Sequence, residues 1–414
     1  MTVSFLAEAR AFVKSIPICF LVSGYWLLYN NKQPMKSRDQ TKDESRVFAV
    51  KNHRDLRRFI AFPYELYKGD PCWVPPLRGD EKRFHLPRHN PFLRENPVCF
   101  FLAVRGRKVV GRIAAIINRN HDLVHGEGTG FFGRFECLHD LHVARGLIRA
   151  VSEWVGKRGA RILRGPMDFS INNVSGLLEK GFSNPPRIMM PYNADYYPEL
   201  LSNCGFRRVM RFFAYEVDSA SIRFPQIVDR MRERLSLGGI TFRYPDYSRV
   251  EAESAVVTDL FNRSWSDNWG FVPLKVDEMV EDFRRVESFA LKDLIFLAEK
   301  DGEPVGFSLA LPDIYQALMG LNGRLLPFNW LRLMRRVKKI DVIRVALMGV
   351  VPEYRQRGID LVFYHRTMIN AMAHGIHRAE MSWILESNGP MNRILKHINA
   401  EITKTYTILE MPLC

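Results

Sequence analysis

At 414 residues, with 47% hydrophobic and 25% charged side chains, the chain has a soluble globular balance and enough length for two or three cores, which excludes disordered and collagen-like classes. Lys and Arg number 60 against 45 Asp and Glu, and the resulting +15 favours an anionic partner: nucleic acid, lipid headgroups or a phosphorylated co-substrate. Six cysteines spaced 27 or more positions apart, with no Cys-x-x-Cys pair, exclude a disulfide framework and a zinc ribbon.

The first long apolar run is residues 16–29, 14 positions, short of the roughly 20 that a spanning helix needs. Arg10 and Lys14 precede it as in a signal segment, but Asn30-Asn31-Lys32-Gln33-Pro34 offers no small-residue cleavage site. It reads as an interfacial or disposable tail, or alternatively an uncleaved anchor, and Met35 opens a polar stretch like an ordinary soluble N-terminus. Residues 1–45 are therefore set apart as a tail, and the body is expected to face the cytoplasm.

Next comes a hairpin signal, Phe101-Leu102-Ala103 and Val110-Gly111 around a basic turn. The same pattern returns 195 residues later as Phe296-Leu297-Ala298 and Val305-Gly306. A second landmark repeats at nearly the same offset: Cys204-Gly205-Phe206 leads into a strand at 211–217, and Ile398-Asn399-Ala400 into a strand at 402–409. Two matched landmarks predict tandem domains, 46–217 and 218–414. Each half reads as helix, hairpin, strand, helix, strand, helix, strand. In the second half the elements are strand 240–244, helices 251–264 and 277–286, hairpin 294–311, strand 342–351, helix 360–374 and strand 379–385.

Between the first-half elements, Gly128-x-Gly130-x-x-Gly133 fits a dinucleotide fingerprint formally, but aromatic, strand-like residues follow where a helix should begin. It is read as a strand whose Glu136, with Asp140, lines an acceptor cleft, a purely structural role being the alternative. His121 with His125, and His139 with His142, have helix-face spacing without a carboxylate signature, so no metal is expected. Asn172 and Asn173 follow the strand 162–164 at the place where Glu386 to Asn388 sits in the second half, and could hydrogen-bond an acceptor.

The strongest local signal is Val350-Val351-Pro352-Glu353-Tyr354-Arg355-Gln356-Arg357-Gly358-Ile359-Asp360, an apolar strand joined to a helix through a basic, glycine-containing turn. Free backbone N–H groups at a helix N-terminus, with two arginines nearby, make an anion cradle. This segment resembles the pyrophosphate loop of the GNAT superfamily of acyl-CoA-dependent N-acyltransferases, and the flanking hairpin and Glu386-Ser387-Asn388 resemble its other landmarks. One departure is Asp360, where the family usually has Gly or Ala. Phrases such as Asp70-Pro71-x-Trp73-Val74-Pro75-Pro76-Leu77 and Met381-Ser382-Trp383-Ile384-Leu385-Glu386 are similar to those of a bacterial group of two GNAT-like halves near the bacterial ceramide synthases.

The resemblance implies an α/β fold of two tandem GNAT-like domains, each a mixed, mostly antiparallel sheet flanked by helices. It implies an acyltransferase for groups other than aminoacyl groups, moving an acyl chain from acyl-CoA or acyl carrier protein to an amine such as a long-chain base. Donor binding would fall to Val350, Val351, Arg355, Gln356, Arg357, Gly358, Ile359 and Asp360, with no permanently bound cofactor. Glu386 would be the base, Asn388 a site residue, and Tyr406 or His397 the proton donor, since Leu395 stands where the family often has a Tyr. Alternatives are a Fem-type aminoacyl or peptide transferase and a non-catalytic lipid- or nucleic-acid-binding relic. Finally, in residues 328–339, Trp330, Leu333, Met334 and Val337 share one helix face opposite basic residues. This is either a helix packed on its own domain or one lying in an anionic membrane interface.

Overall fold

The computed structural model describes residues 45–222 and 227–413; the apolar run at 16–29 lies outside them. The strands are β1 (Arg46–Ala49), β2 (Val98–Arg105), β3 (Lys108–Ile117), β4 (Thr129–Cys137), β5 (Ile162–Gly165), β6 (Leu177–Lys180) and β7 (Arg207–Asp218) in the first half. The second half adds β8 (Ile240–Arg243), β9 (Ile295–Lys300), β10 (Glu303–Pro312), β11 (Val342–Val350), β12 (Arg378–Leu385) and β13 (Glu401–Pro412). First-half helices are α1 (His53–Leu66), α2 (Arg78–Phe84), α3 (Pro91–Glu95), α4 (Arg119–His125), α5 (Leu141–Gly156) and α6 (Tyr197–Ser202). Those of the second half are α7 (Ile227–Leu237), α8 (Val250–Trp265), α9 (Val276–Val286), α10 (Tyr315–Leu318), α11 (Asn329–Val337), α12 (Ile359–Ala373) and α13 (Gly389–His397).

All thirteen strands form one sheet, ordered β1-β2-β3-β4-β5-β13-β7-β12-β11-β10-β9-β8, with β6 also on β13. Each half contributes a hairpin meander ending in one parallel pair, β4 with β5 and β11 with β12. The last strand of each half then lies beside the other half's parallel pair. β13 pairs with β5, and β7 pairs with β12, while β7 and β13 run antiparallel at the centre.

Side-chain alternation decides which helices cover which face. On one face of the first half, α5 buries Val143, Leu147, Ile148, Val151 and Val155 against Ile113 and Ala115. Each such aliphatic chain is worth roughly 1.5–3 kcal/mol. α12 and α13 cover the same face of the second half, with Tyr364, Ala371 and Leu395 on Ala310, Ile343 and Val345. The opposite face takes α1 in the first half, where Arg112 donates to the Phe59 carbonyl, and α10 and α11 in the second, packed on Leu309 and Leu311.

Of the stretch 128–133, residues 129–133 are strand within β4, and Gly130 is there for packing: a Cβ would stand 2.6 Å from the Val155 Cβ. Helix α11 forms where the amphipathic segment was expected. Its Leu333 is 2% exposed and joins the core, with Val337 packed against the same cluster. Of the two readings of that face, the structure bears out packing on its own domain.

Candidate donor cleft and active site

β11 and β12 are paired only from Val342↔Arg378 to Val345↔Met381. Beyond that point β11 stays with β10 up to Val350, whereas β12 stays with β7 through Ile384↔Phe213 and Leu385↔Phe212. The strands therefore diverge into a V-shaped cleft, and past Val345 β11 pairs with no strand on that side among the described residues. A bulge displaces Ala346, between Leu309↔Leu347 and Ala310↔Val345, which re-aims the backbone at the vertex.

The mouth of the cleft is held by the loop after β11. Val351 is buried and donates its N–H to the Val305 carbonyl at 3.0 Å. Arg355 ties the loop down through Nε to the Val350 carbonyl (3.2 Å) and Nη2 to the Ser264 carbonyl (2.6 Å). Arg357 folds back onto the Glu353 carbonyl and over the Tyr354 ring. Gln356 (φ 61°) and Gly358 (φ 91°) both adopt left-handed backbone, turning the chain sharply into α12. The backbone N–H groups of Gln356, Arg357, Gly358, Ile359 and Asp360 find no acceptor among the described residues. Five such donors at the positive end of a fifteen-residue helix make an anion nest. Asp360 accepts the Leu361 N–H within the first turn of α12.

The first half has no such opening. Past the β4–β5 pair, the Met167 N–H donates to the Phe132 carbonyl at 2.9 Å, and a Cβ on Gly133 would collide with the Met167 carbonyl. At the start of α5, Asp140 accepts from the N–H groups of His142 and Val143 and from Arg105, so a carboxylate already fills the anion position. Glu136 accepts from the Tyr67 and Tyr197 hydroxyls at 2.5 and 2.9 Å, with Arg112 at 3.7 Å. Burial pushes its carboxyl above the usual range, opposed by Arg112. No hydrogen bond or ion pair among the described residues joins Glu136 or Asp140 to the second half. Asn172 does touch it, donating to the Val272 carbonyl at 2.9 Å, and Asn173 donates its backbone N–H to Ser170.

The face opposite α12 carries a buried charged network at the vertex that sequence reasoning missed. Glu380, fully buried, accepts from Lys404 Nζ (2.9 Å) and Ser382 Oγ (2.8 Å). Arg344 crosses to Ser382, with Nε on Oγ and Nη2 on the carbonyl, both at 2.9 Å. Arg187 links Glu216 at 2.7 Å to Asp313 at 3.3 Å. Three buried polar atoms there have no hydrogen-bond partner among the described residues: the Tyr406 hydroxyl, Trp383 Nε1 and Arg187 Nε, the last 3.8 Å from the Glu380 carboxylate. Burial and the Glu380 charge raise the Tyr406 pKa well above its ordinary value, so the hydroxyl stays protonated. The signal available in sequence was Arg344, the single charge in the apolar strand 342–350.

Glu386, at the outer end of β12, is exposed and bound by Arg211 at 3.0 Å. Asn388 caps α13, accepting the Met391 N–H. His121 lies beside His125, ring centroids 4.4 Å apart and tilted by 36°, and its Nε2 is 3.4 Å from Arg164, but no group of three or more His, Cys, Asp or Glu among the described residues is placed to hold a metal.

Asp313 gives one pH prediction. Burial raises its pKa from 3.8 to about 6, against the pull of Arg187. Because the folded value exceeds the unfolded one, its contribution is complete below about pH 4 and is lost as pH rises through about 6. Asp313→Asn is expected to flatten the stability profile over that window, read as the difference between variant and parent in chemical denaturation at each pH.

Over 384 residues the chain is 35% identical to the bacterial ceramide synthase of Caulobacter vibrioides, covering 91% of this chain and 99% of that protein. The chain belongs to this family. Protein YghO of Escherichia coli is also 35% identical, over 88% of the chain and 94% of its own length. Among solved structures, a tandem GNAT protein from the clavulanic acid biosynthesis pathway superposes with TM-score 0.53 at 11% identity, over 90% of this chain and 99% of its own. A GCN5-related N-acetyltransferase from Sphaerobacter thermophilus gives 0.50 at 12%, over 90% and 96%. No family model matches the sequence. The family's fold is thus the tandem GNAT fold.

Proposed function

We propose that the chain is an N-acyltransferase that moves an acyl group from acyl-CoA, or from acyl carrier protein, to the amine of a long-chain base. The observation that carries this is the asymmetry of the two clefts. The second half presents five unsatisfied N–H donors over a diverging strand pair, and the first half fills the matching positions with its own carboxylates. The relative's name supplies the acceptor class.

In this reading the loop from Val350 to Asp360 holds the donor's pyrophosphate or phosphopantetheine phosphate. Backbone N–H groups of β11 around the Ala346 bulge hydrogen-bond the thioester carbonyl and stabilise the oxyanion. Glu386, positioned by Arg211, takes the proton from the ammonium, directly or through water. The amine nitrogen then attacks the carbonyl carbon and the C–S bond breaks; the second proton on nitrogen leaves as the amide forms and is passed on to the departing thiolate, with the Tyr406 hydroxyl as a relay that ends protonated, as it began. The acceptor contacts are assigned to the side-chain amides of Asn172 and Asn173: the carboxylate oxygens of Glu136 and Asp140 are engaged within the first half, whereas Asn172 uses only Nδ2, on the Val272 carbonyl. A water-insoluble amine places the protein at the inner face of the membrane as a peripheral enzyme. Among the described residues no helix is long and apolar enough to cross it.

The test is thiol release and amide formation with purified protein, acyl-CoA or acyl carrier protein, and a long-chain base. Glu386→Gln keeps size and hydrogen bonding but cannot accept a proton. Its turnover should fall about 100-fold, with the melting temperature unmoved because the side chain is exposed. Product formation only with aminoacyl-tRNA would replace this reading by the Fem-type one.

A further inference from the structure

The helical periodicity of residues 328–339 singles out Trp330, Leu333, Met334 and Val337, but that face is turned toward the protein. What the segment offers to solvent is different. Leu326 is 78% exposed and Phe328 72%, and Leu331 one turn on is also exposed. Leu326 and Phe328 form the tip of the turn that enters α11, and Leu331 extends it onto the first turn of the helix.

The tip is braced. Gly323 lies so close to the Pro76 carbonyl that a Cβ would collide with it, and the Arg78 N–H donates to the Gly323 carbonyl at 3.0 Å. Asn329 Nδ2 closes the turn onto the Arg324 carbonyl at 2.8 Å, and the Trp330 N–H onto Leu325 at 2.9 Å. Leu333 anchors the helix in the core. Exposed apolar groups are therefore presented on a fixed support, where an ordinary surface loop would turn them inward.

Charge supplies the partner. Between Asp313 and Asp341 the chain holds six cations, Arg324, Arg332, Arg335, Arg336, Lys338 and Lys339, and no acid. None of the six makes an ion pair among the described residues, and Arg336 alone is tied down, donating to the Met319 carbonyl. An apolar tip flanked by unpaired cations matches a bilayer with anionic headgroups, where the tip enters the acyl boundary and the cations stay at phosphate level.

We propose that Leu326, Phe328 and Leu331 insert into an anionic lipid surface and that Arg332 and Arg335 hold the headgroups. This deepens the functional reading above by naming the surface at which a lipidic amine is met, and vesicle binding without donor tests it separately from turnover.

The experiment uses the full chain and vesicles of phosphatidylcholine with or without phosphatidylglycerol. Leu326→Glu with Phe328→Glu, and Arg332→Glu with Arg335→Glu, should each weaken binding to the anionic vesicles at least about 10-fold. Arg149→Glu with Lys157→Glu, an equal charge change on exposed residues of α5 and its C-cap, should not. Acyl transfer to a soluble short-chain amine should survive in the tip variant, which confirms that it folds. Unaltered vesicle binding in the tip variant overturns the proposal. So does loss in the α5 control equal to that in the α11 variant, or retained vesicle binding with lost single-stranded RNA binding when Arg332 and Arg335 are reversed. Failure of transfer in the native chain with intact vesicle binding would instead strike only the functional reading.

Discussion

Gly358→Val is expected to reduce donor affinity about 100-fold or more, or roughly 3 kcal/mol. Two effects add. A β-branched residue is a steric outlier at φ 91°, and the new Cβ would stand 2.6 Å from Met231 Cγ on α7. Either α7 shifts or the turn unwinds, and in both cases the N–H groups from Gln356 to Asp360 stop converging. Asp140→Ala is the matched change in the first half. It removes a helix cap worth about 1 kcal/mol of stability and should leave donor affinity unchanged. Calorimetric titration with a non-hydrolysable acyl-CoA analogue reads both. Equal losses in the two variants would refute the asymmetric assignment.

The second large effect falls on stability. Glu380→Gln leaves Lys404 Nζ, with only 1% of its side chain exposed, without a counter-charge, and breaking one side of a buried pair costs about 3–5 kcal/mol. The double variant Glu380→Gln with Lys404→Met should recover a large part of that loss, because the unpaired charge has gone. Urea denaturation of the two single variants and the double one closes the cycle. If Glu380→Gln lowers the midpoint no more than a surface substitution, the network is not the electrostatic anchor described here.

The loop we propose for the donor was legible because its signals are local: a strand end, two arginines, a glycine and a helix start follow one another in residues 350–360. The tandem arrangement was readable because Phe101-Leu102-Ala103 and Phe296-Leu297-Ala298 repeat it. The reciprocal placement of β7 and β13 was not, since nothing local distinguishes an antiparallel neighbour in the same half from one in the other. The network around Glu380 was hidden for the same reason: Arg187, Arg344, Glu380 and Lys404 come from four separate segments. Hydrophobic periodicity located α11 but could not say which side faces water, and Leu326 lies outside the periodic window altogether.

The central position of β13 also governs how the protein is made. During synthesis β5 and β7 emerge long before residues 401–412, the strand that lies between them. Until residues 401–412 have left the ribosome, β5 and β7 lack the strand that lies between them and present unpaired backbone edges, the feature that recruits stray β-strands. A premature stop before residue 401, which removes only β13, is therefore expected to send the chain to aggregation or proteolysis rather than yield a folded first half, read as the soluble yield of the truncated chain.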